Sequence, residues 1–150
     1  QLFNNTYNYG YNLACVFIDV DYFKQVNDTY GHEEGDSALK FVVDSIQKNI
    51  RKSDYLFRYG GDEFVLFMAN ATDDKLYDLC KVVNADVREY GKTININGED
   101  RPLSVSMGAK IYNPIAQNLK DAKDLLARAD KALYQSKANG KGKLYIDKDA

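Results

Sequence analysis

Arg58-Tyr59-Gly60-Gly61-Asp62-Glu63-Phe64 lies between two strand-like runs, residues 55–59 and 63–68, and its reading decides the fold. A Gly-Gly pair joining such runs predicts a hairpin whose tight primed turn uses the positive φ open to both glycines. Two carboxylates follow at once. Strand alternation would point Asp62 and Glu63 to opposite faces, so a shared ligand requires the turn to splay them, and an acid pair beside a glycine turn points to a metal. Backbone without side chains at Gly60 and Gly61 also lets a polyphosphate come close.

Upstream, Leu13-Ala14-Cys15-Val16-Phe17-Ile18 is a continuous apolar run of strand length, suited to a strand buried on both faces, and Asp19 closes it. After Asp21 a short helical turn carries Tyr22, Phe23 and Val26. A polar loop over 28–35 leads to a helix over 35–50, with Leu39, Val42, Val43, Ile46 and Ile50 at helical spacing. Beyond the hairpin the pattern predicts a helix over 73–90, strands over 93–96 and 103–111 around an Asn97-Gly98 turn, and Pro102 at the start of the second of these strands. A helix over 119–138 turns Leu125, Leu126, Ala129, Leu133 and Tyr134 inward, and 143–146 closes as a short strand. Helices interleaved with two hairpins give an α+β domain with α/β-type layers and a mixed sheet, which excludes a simple Rossmann arrangement.

At 150 residues and 45% hydrophobic content the chain is expected to form one domain with its own core. Residues 1–12 read as a residual linker or helix end, and 13–150 as the domain. A net charge of −2 with well-mixed signs gives no field that would recruit nucleic acid or an anionic membrane, so any nucleotide must be held by local groups. Cys15 and Cys80 lie in apolar segments and read as buried, reduced thiols, which fits a cytoplasmic setting. No apolar run approaches the roughly 20 residues needed to span a bilayer, so the piece reads as soluble.

If the strands ending at Asp19 and starting at Glu63 are neighbours, Asp19, Asp62 and Glu63 converge, and such a cluster repels itself without a cation. Hard divalent ions take carboxylate and phosphate oxygens together; the plain alternative is a solvated acidic turn. Asn27 and Asp36 flank the 28–35 loop and, on residue type alone, read as turn and helix caps. Backbone N–H groups near Tyr22, with Phe23 and Lys24, could receive phosphates at a helix start. Lys137 and Lys141 sit on a basic helix end, whose plain reading is a favourable interaction with the helix dipole. The one histidine, His32, reads as a loop residue with no catalytic role.

RYGGDEF at 58–64, the stretch from Asp19 to Asp36 and that from Arg128 to Lys137 resemble, in order, the motifs of the GGDEF domain of diguanylate cyclases. The resemblance covers about residues 13–146. It implies a mixed central five-stranded sheet flanked by helices, similar to the palm of nucleotide cyclases and polymerases. It also implies condensation of two GTP into cyclic di-GMP with loss of pyrophosphate, by a homodimer meeting through the active-site face. Magnesium, or manganese in its place, would be held by Asp19, the Val20 carbonyl, Asp62 and Glu63, with Glu63 also helping to activate the 3′-hydroxyl. Asn27 and Asp36 would bind guanine, whose N1–H and amino group a carboxylate accepts together. Lys137 and Lys141 would bind the terminal phosphates, with lysine at 141 where the family usually has arginine, and so without the bidentate fork. Arg51 and Asp54, an Arg-x-x-Asp separated from Gly60 by five residues, match an allosteric product site. Its usual second arginine falls at Val82, with Lys81 and Arg88 nearby. The family's Asp-x-Leu-Thr-Gly-Leu-x-Asn-Arg segment is missing, so the chain is expected to be a piece of a protein with an upstream sensor or dimerisation domain. The rival expectation is a degenerate domain that binds GTP or cyclic di-GMP and signals without catalysis.

Overall fold

The computed structural model describes residues 12–94, 103–113 and 122–149. Among these the chain forms β1 (Leu13–Asp21), α1 (Phe23–Tyr30), α2 (His32–Gln47), β2 (Tyr55–Arg58), β3 (Glu63–Ala69), α3 (Asp73–Thr93), β4 (Ser104–Tyr112), α4 (Ala122–Ala138) and β5 (Leu144–Asp147). The five strands form one sheet in the order β2-β3-β1-β4-β5, antiparallel except for the parallel β4–β5 pair. The expected mixed α+β architecture is what the chain adopts.

β1 lies at the centre, and all nine of its residues are buried, as its unbroken apolar run demands. Ala14, Val16, Ile18 and Val20 face a core built with α1, α2 and α3, including Val26, Leu39, Val42, Ile46, Leu76 and Val83. On the other face Leu13, Cys15 and Phe17 pack with Leu125, Ala129 and Leu133 of α4. α4 comes so close to the sheet that a Cβ at Gly108 would lie 1.8 Å from the Leu133 amide nitrogen, so only glycine fits there. Cys15 and Cys80 are free and buried, and burial pushes their thiols up to about 12 and about 11.

The structure corrects several expectations. Neither Gly60 nor Gly61 takes a positive φ, so the hairpin does not use a primed turn. Instead residues 59–62 form a longer loop wound around one carbonyl: Tyr59 N and Gly60 N both donate to Glu63 O, at 2.8 and 3.3 Å. The polar stretch 28–35 is mostly helical, because only Gly31, at φ 92, separates α1 from α2. Thr93 belongs to α3 and Ile94 is its C-cap, while residues 95–96 of the expected strand, the Asn97-Gly98 turn and Pro102 lie outside the described residues. Tyr134 points outward at 71% exposure, since the inward stripe of α4 runs through Leu125, Ala129, Ala132 and Leu133.

Candidate active site

The antiparallel register sets Asp19 of β1 opposite Glu63 of β3, and Val20 N donates to Asp62 O at 3.2 Å. The two acid-bearing segments are thus fixed by backbone bonds rather than by their side chains. Arg58 completes the loop, its Nε donating to Gly60 O at 3.1 Å and its Nη2 to Gly61 O. Tyr59 packs edge-on against Phe17, ring centroids 5.1 Å apart.

Asp19 is nearly buried, and its Oδ1 has no hydrogen-bond partner while Oδ2 accepts from Lys137 Nζ. Its carboxyl is pushed up to about 6, chiefly by burial, with Lys137 pulling it down and Asp62 raising it further. Burial is the largest single influence on the Lys137 ammonium and lowers it, but the bond to Asp19 and the charges of Asp19, Asp21 and Glu63 together outweigh it, and the net shift is upward. A buried carboxylate oxygen without a partner, beside a second carboxylate, suits a hard divalent cation, and the donor set fits. Among the described residues no three acidic, histidine or cysteine side chains close into a cage. Asp19 and Asp62 form an open pair, and Glu63 folds back beneath Gly60, where an added Cβ would meet its Oε1 at 3.0 Å.

Asp19, Val20, Tyr22, Phe23, Lys24, Asp62, Lys137 and Lys141 line one cavity of about 190 Å³. Tyr22 takes a left-handed φ of 61 and gives α1 no side-chain cap, and the first turn it opens lines this cavity. Lys141 Nζ sits 4.4 Å from the Tyr22 ring centroid. Of the metal-side and phosphate-side residues expected from the sequence, all but Glu63 line this one cavity.

Asn27 and Asp36 do not serve as caps. Gly31 occupies the N-cap of α2, and Asp36 lies inside the helix, exposed. The Asn27 Oδ1 is buried without a partner and lies against Gly35, where an added Cβ would fall 1.7 Å away. Asp36 lines a groove of about 530 Å³ between α2 and β2, with Leu39, Phe57, Arg58 and Phe64, that shares no lining residue with the phosphate-side cavity.

Arg51 and Asp54 grip each other: Arg51 N donates to Asp54 Oδ2 at 2.8 Å, and Nη2 to Oδ1 at 3.2 Å. The Asp54 side chain is fully buried, and that of Arg51 is 46% exposed. Both line a cleft of about 300 Å³ together with Val82 and with Lys75 of α3, whereas Lys81 and Arg88 do not line it. The sequence reading missed Asp21, a buried carboxylate that accepts from Ser104, Ser106 and Gly142. Alternating serines at 104 and 106, at the start of the largely apolar β4, were its one signal.

No helix among the described residues is long and apolar enough to cross a membrane. Residues 1–143 match the family model described as diguanylate cyclase, GGDEF domain. The chain is 39% identical over 137 residues to diguanylate cyclase DosC of Escherichia coli, covering 91% of this chain and 29% of that protein. It is 36% identical over 137 residues to diguanylate cyclase A of Treponema denticola, covering 91% of this chain and 36% of that one. The chain thus spans about a third of the length of these relatives. The active GGEEF domain of a diguanylate cyclase from Vibrio cholerae superposes with a TM-score of 0.84 at 26% identity, covering 98% of this chain and 90% of that one. With Asp19 and Asp62 set at adjoining strand ends above a lysine-lined cavity, and a family match over nearly all of its length, the chain belongs to the GGDEF domain family of diguanylate cyclases.

Proposed function

We propose that this domain condenses two GTP molecules into cyclic di-GMP. The reading is carried by the Asp19 carboxylate, whose unpartnered Oδ1 stands beside Asp62 at the rim of a cavity that also holds Lys137 and Lys141. Asp19, Asp62, Glu63 and the Val20 carbonyl would hold magnesium or manganese, which when bound supplies charge stabilisation at the α-phosphate and a more acidic 3′-hydroxyl. The uncapped first turn of α1 at Tyr22, Phe23 and Lys24 receives phosphate oxygens through N–H groups, and Lys137 and Lys141 neutralise the terminal phosphates. Asn27 and Asp36 read guanine, with Asp36 accepting from N1–H and the amino group; a site built from such bonds rejects the wrong base by roughly 10⁴–10⁵-fold. Two domains face each other as a homodimer. Each 3′-oxygen attacks the other nucleotide's α-phosphorus, the bond to the β-phosphate breaks, pyrophosphate leaves, and the hydroxyl proton passes to Glu63. Incubation with GTP and magnesium at high protein concentration, followed by nucleotide chromatography, should yield cyclic di-GMP. GTP bound but unconverted would favour the signalling module that binds without catalysis.

The Arg51–Asp54 pair is proposed as a product site. Its ligand must open an existing ion pair, and Val82 stands where relatives add a second arginine, so binding is weaker than in those relatives and is lost in Arg51→Ala.

A further inference from the structure

Asp21 is 3% exposed, stands two residues beyond Asp19 and lines the same cavity, but its carboxylate is taken up by donors of β4 and of the turn after α4. Oδ2 accepts from Ser104 Oγ at 2.7 Å and from Gly142 N at 3.0 Å, and Oδ1 accepts from Ser106 Oγ at 2.8 Å. A carboxylate so fully supplied with donors is a fixed part of the fold. What it fixes is a strained turn. Gly140, Lys141 and Gly142 have φ of 116, 63 and 63, and of these Lys141 carries a side chain in a conformation such residues avoid. The Gly142 peptide is gripped on both sides: its N–H bonds Asp21 and Ser106 Oγ, the latter at 3.0 Å, and its carbonyl accepts from Asn84 Nδ2 at 3.4 Å. On the chain itself Asp21 leads directly into Tyr22 and the first turn of α1. One residue thereby joins the two walls of the phosphate-side cavity.

We infer that Asp21 is a positioning residue for the triphosphate: it locks the Gly140–Gly142 turn so that Lys141 stands at a set distance from the α1 N–H groups, over the Tyr22 ring. The inference rests on the reading that Lys141 meets the terminal phosphates. Both Asp21 oxygens are already engaged by protein donors, so its effect on the nucleotide passes through Lys141.

The test measures, by calorimetry, the affinity of the whole domain for a GTP analogue with a methylene α–β bridge and for GMP, which lacks the terminal phosphates. Asp21→Asn keeps the shape but replaces one acceptor by a donor. It should weaken the triphosphate analogue about tenfold, the scale of one hydrogen bond to a charged group, and leave GMP within about twofold. Lys141→Ala should do the same, and the double variant should be no worse than Lys141→Ala alone. If Lys141→Ala leaves the analogue's affinity unchanged, the phosphate reading of Lys141 fails. If Lys141→Ala weakens it but Asp21→Asn does not, or the two losses add, the positioning role is overturned. Equal loss of GMP affinity would reduce Asp21 to a purely structural residue. Should Asp21→Asn fail to fold, Ser106→Ala, which removes one donor to Asp21 and one acceptor of the Gly142 N–H, is read by the same criteria.

Discussion

Asp19 and Asp62 meet, but in unequal surroundings: Asp19 is buried with an orphaned oxygen, while Asp62 is only half-buried on the loop. Half-buried site carboxylates add little to a core. Asp62→Ala should therefore cut cyclic di-GMP synthesis by at least about 100-fold while the unfolding free energy stays within about 0.5 kcal/mol of the parent. Retained synthesis, read by chromatography beside a denaturation curve, would remove Asp62 from the mechanism. These two acids were legible because Asp19 closes an apolar run and Asp62 directly follows the glycine pair. Asp21 was not, because its serine partners are 83 and 85 residues away and only the β1–β4 register unites them. The glycine pair was misread for a related reason: Arg58, reaching to both glycine carbonyls, shapes the loop that propensity assigned to φ alone.

Helix existence was legible from apolar spacing, whereas helix ends were not: α2 starts at His32, and α1 and α2 are divided by Gly31 alone. A hydrophobic stripe reports which face is buried, but the polar first turns of α2 carry no stripe. That packing gives Gly35 its significance. Gly35→Ala would gain about 1 kcal/mol of helix propensity, yet its Cβ would collide with Asn27 Oδ1. The Asn27 amide must swing away, so GTP affinity measured by calorimetry should fall even if the helix is no less stable; unchanged affinity would detach Asn27 from the nucleotide. Between α2 and α3, Ser45 Oγ donates to Asp86 Oδ2 at 2.7 Å and Lys48 Nζ lies 3.1 Å from the same oxygen. The Ser45 hydroxyl foremost, then Lys48, holds the Asp86 carboxyl below its ordinary 3.8. A lowered folded-state value stabilises the fold above that pH and loses its effect as pH falls through it. Asp86→Asn should lower stability at pH 7 by on the order of 1 kcal/mol or less, and urea titrations should show that gap closing in acid. A gap independent of pH would mean that the carboxylate charge is not its source.

At the scale of the whole molecule, the proposed site holds one nucleotide per domain, but cyclic di-GMP joins two, attacked in opposite senses. Specific activity should therefore rise with protein concentration, and an assay flat from nanomolar to high micromolar would contradict the face-to-face dimer. The layered architecture was readable from the order of elements, while residues 95–102, 114–121 and the termini stand outside what the structure describes. The position of β1 has a mechanical meaning. Hydrogen-bonded along both edges and covered on both faces, it is the strand least able to open locally, and its amides should exchange with solvent among the slowest in the protein. It is also the strand that carries Asp19 and Asp21. On the proposed reaction each domain is one half of a rigid mould that softening at its centre does not tune, so turnover is set by how often, and at what angle, two finished halves meet.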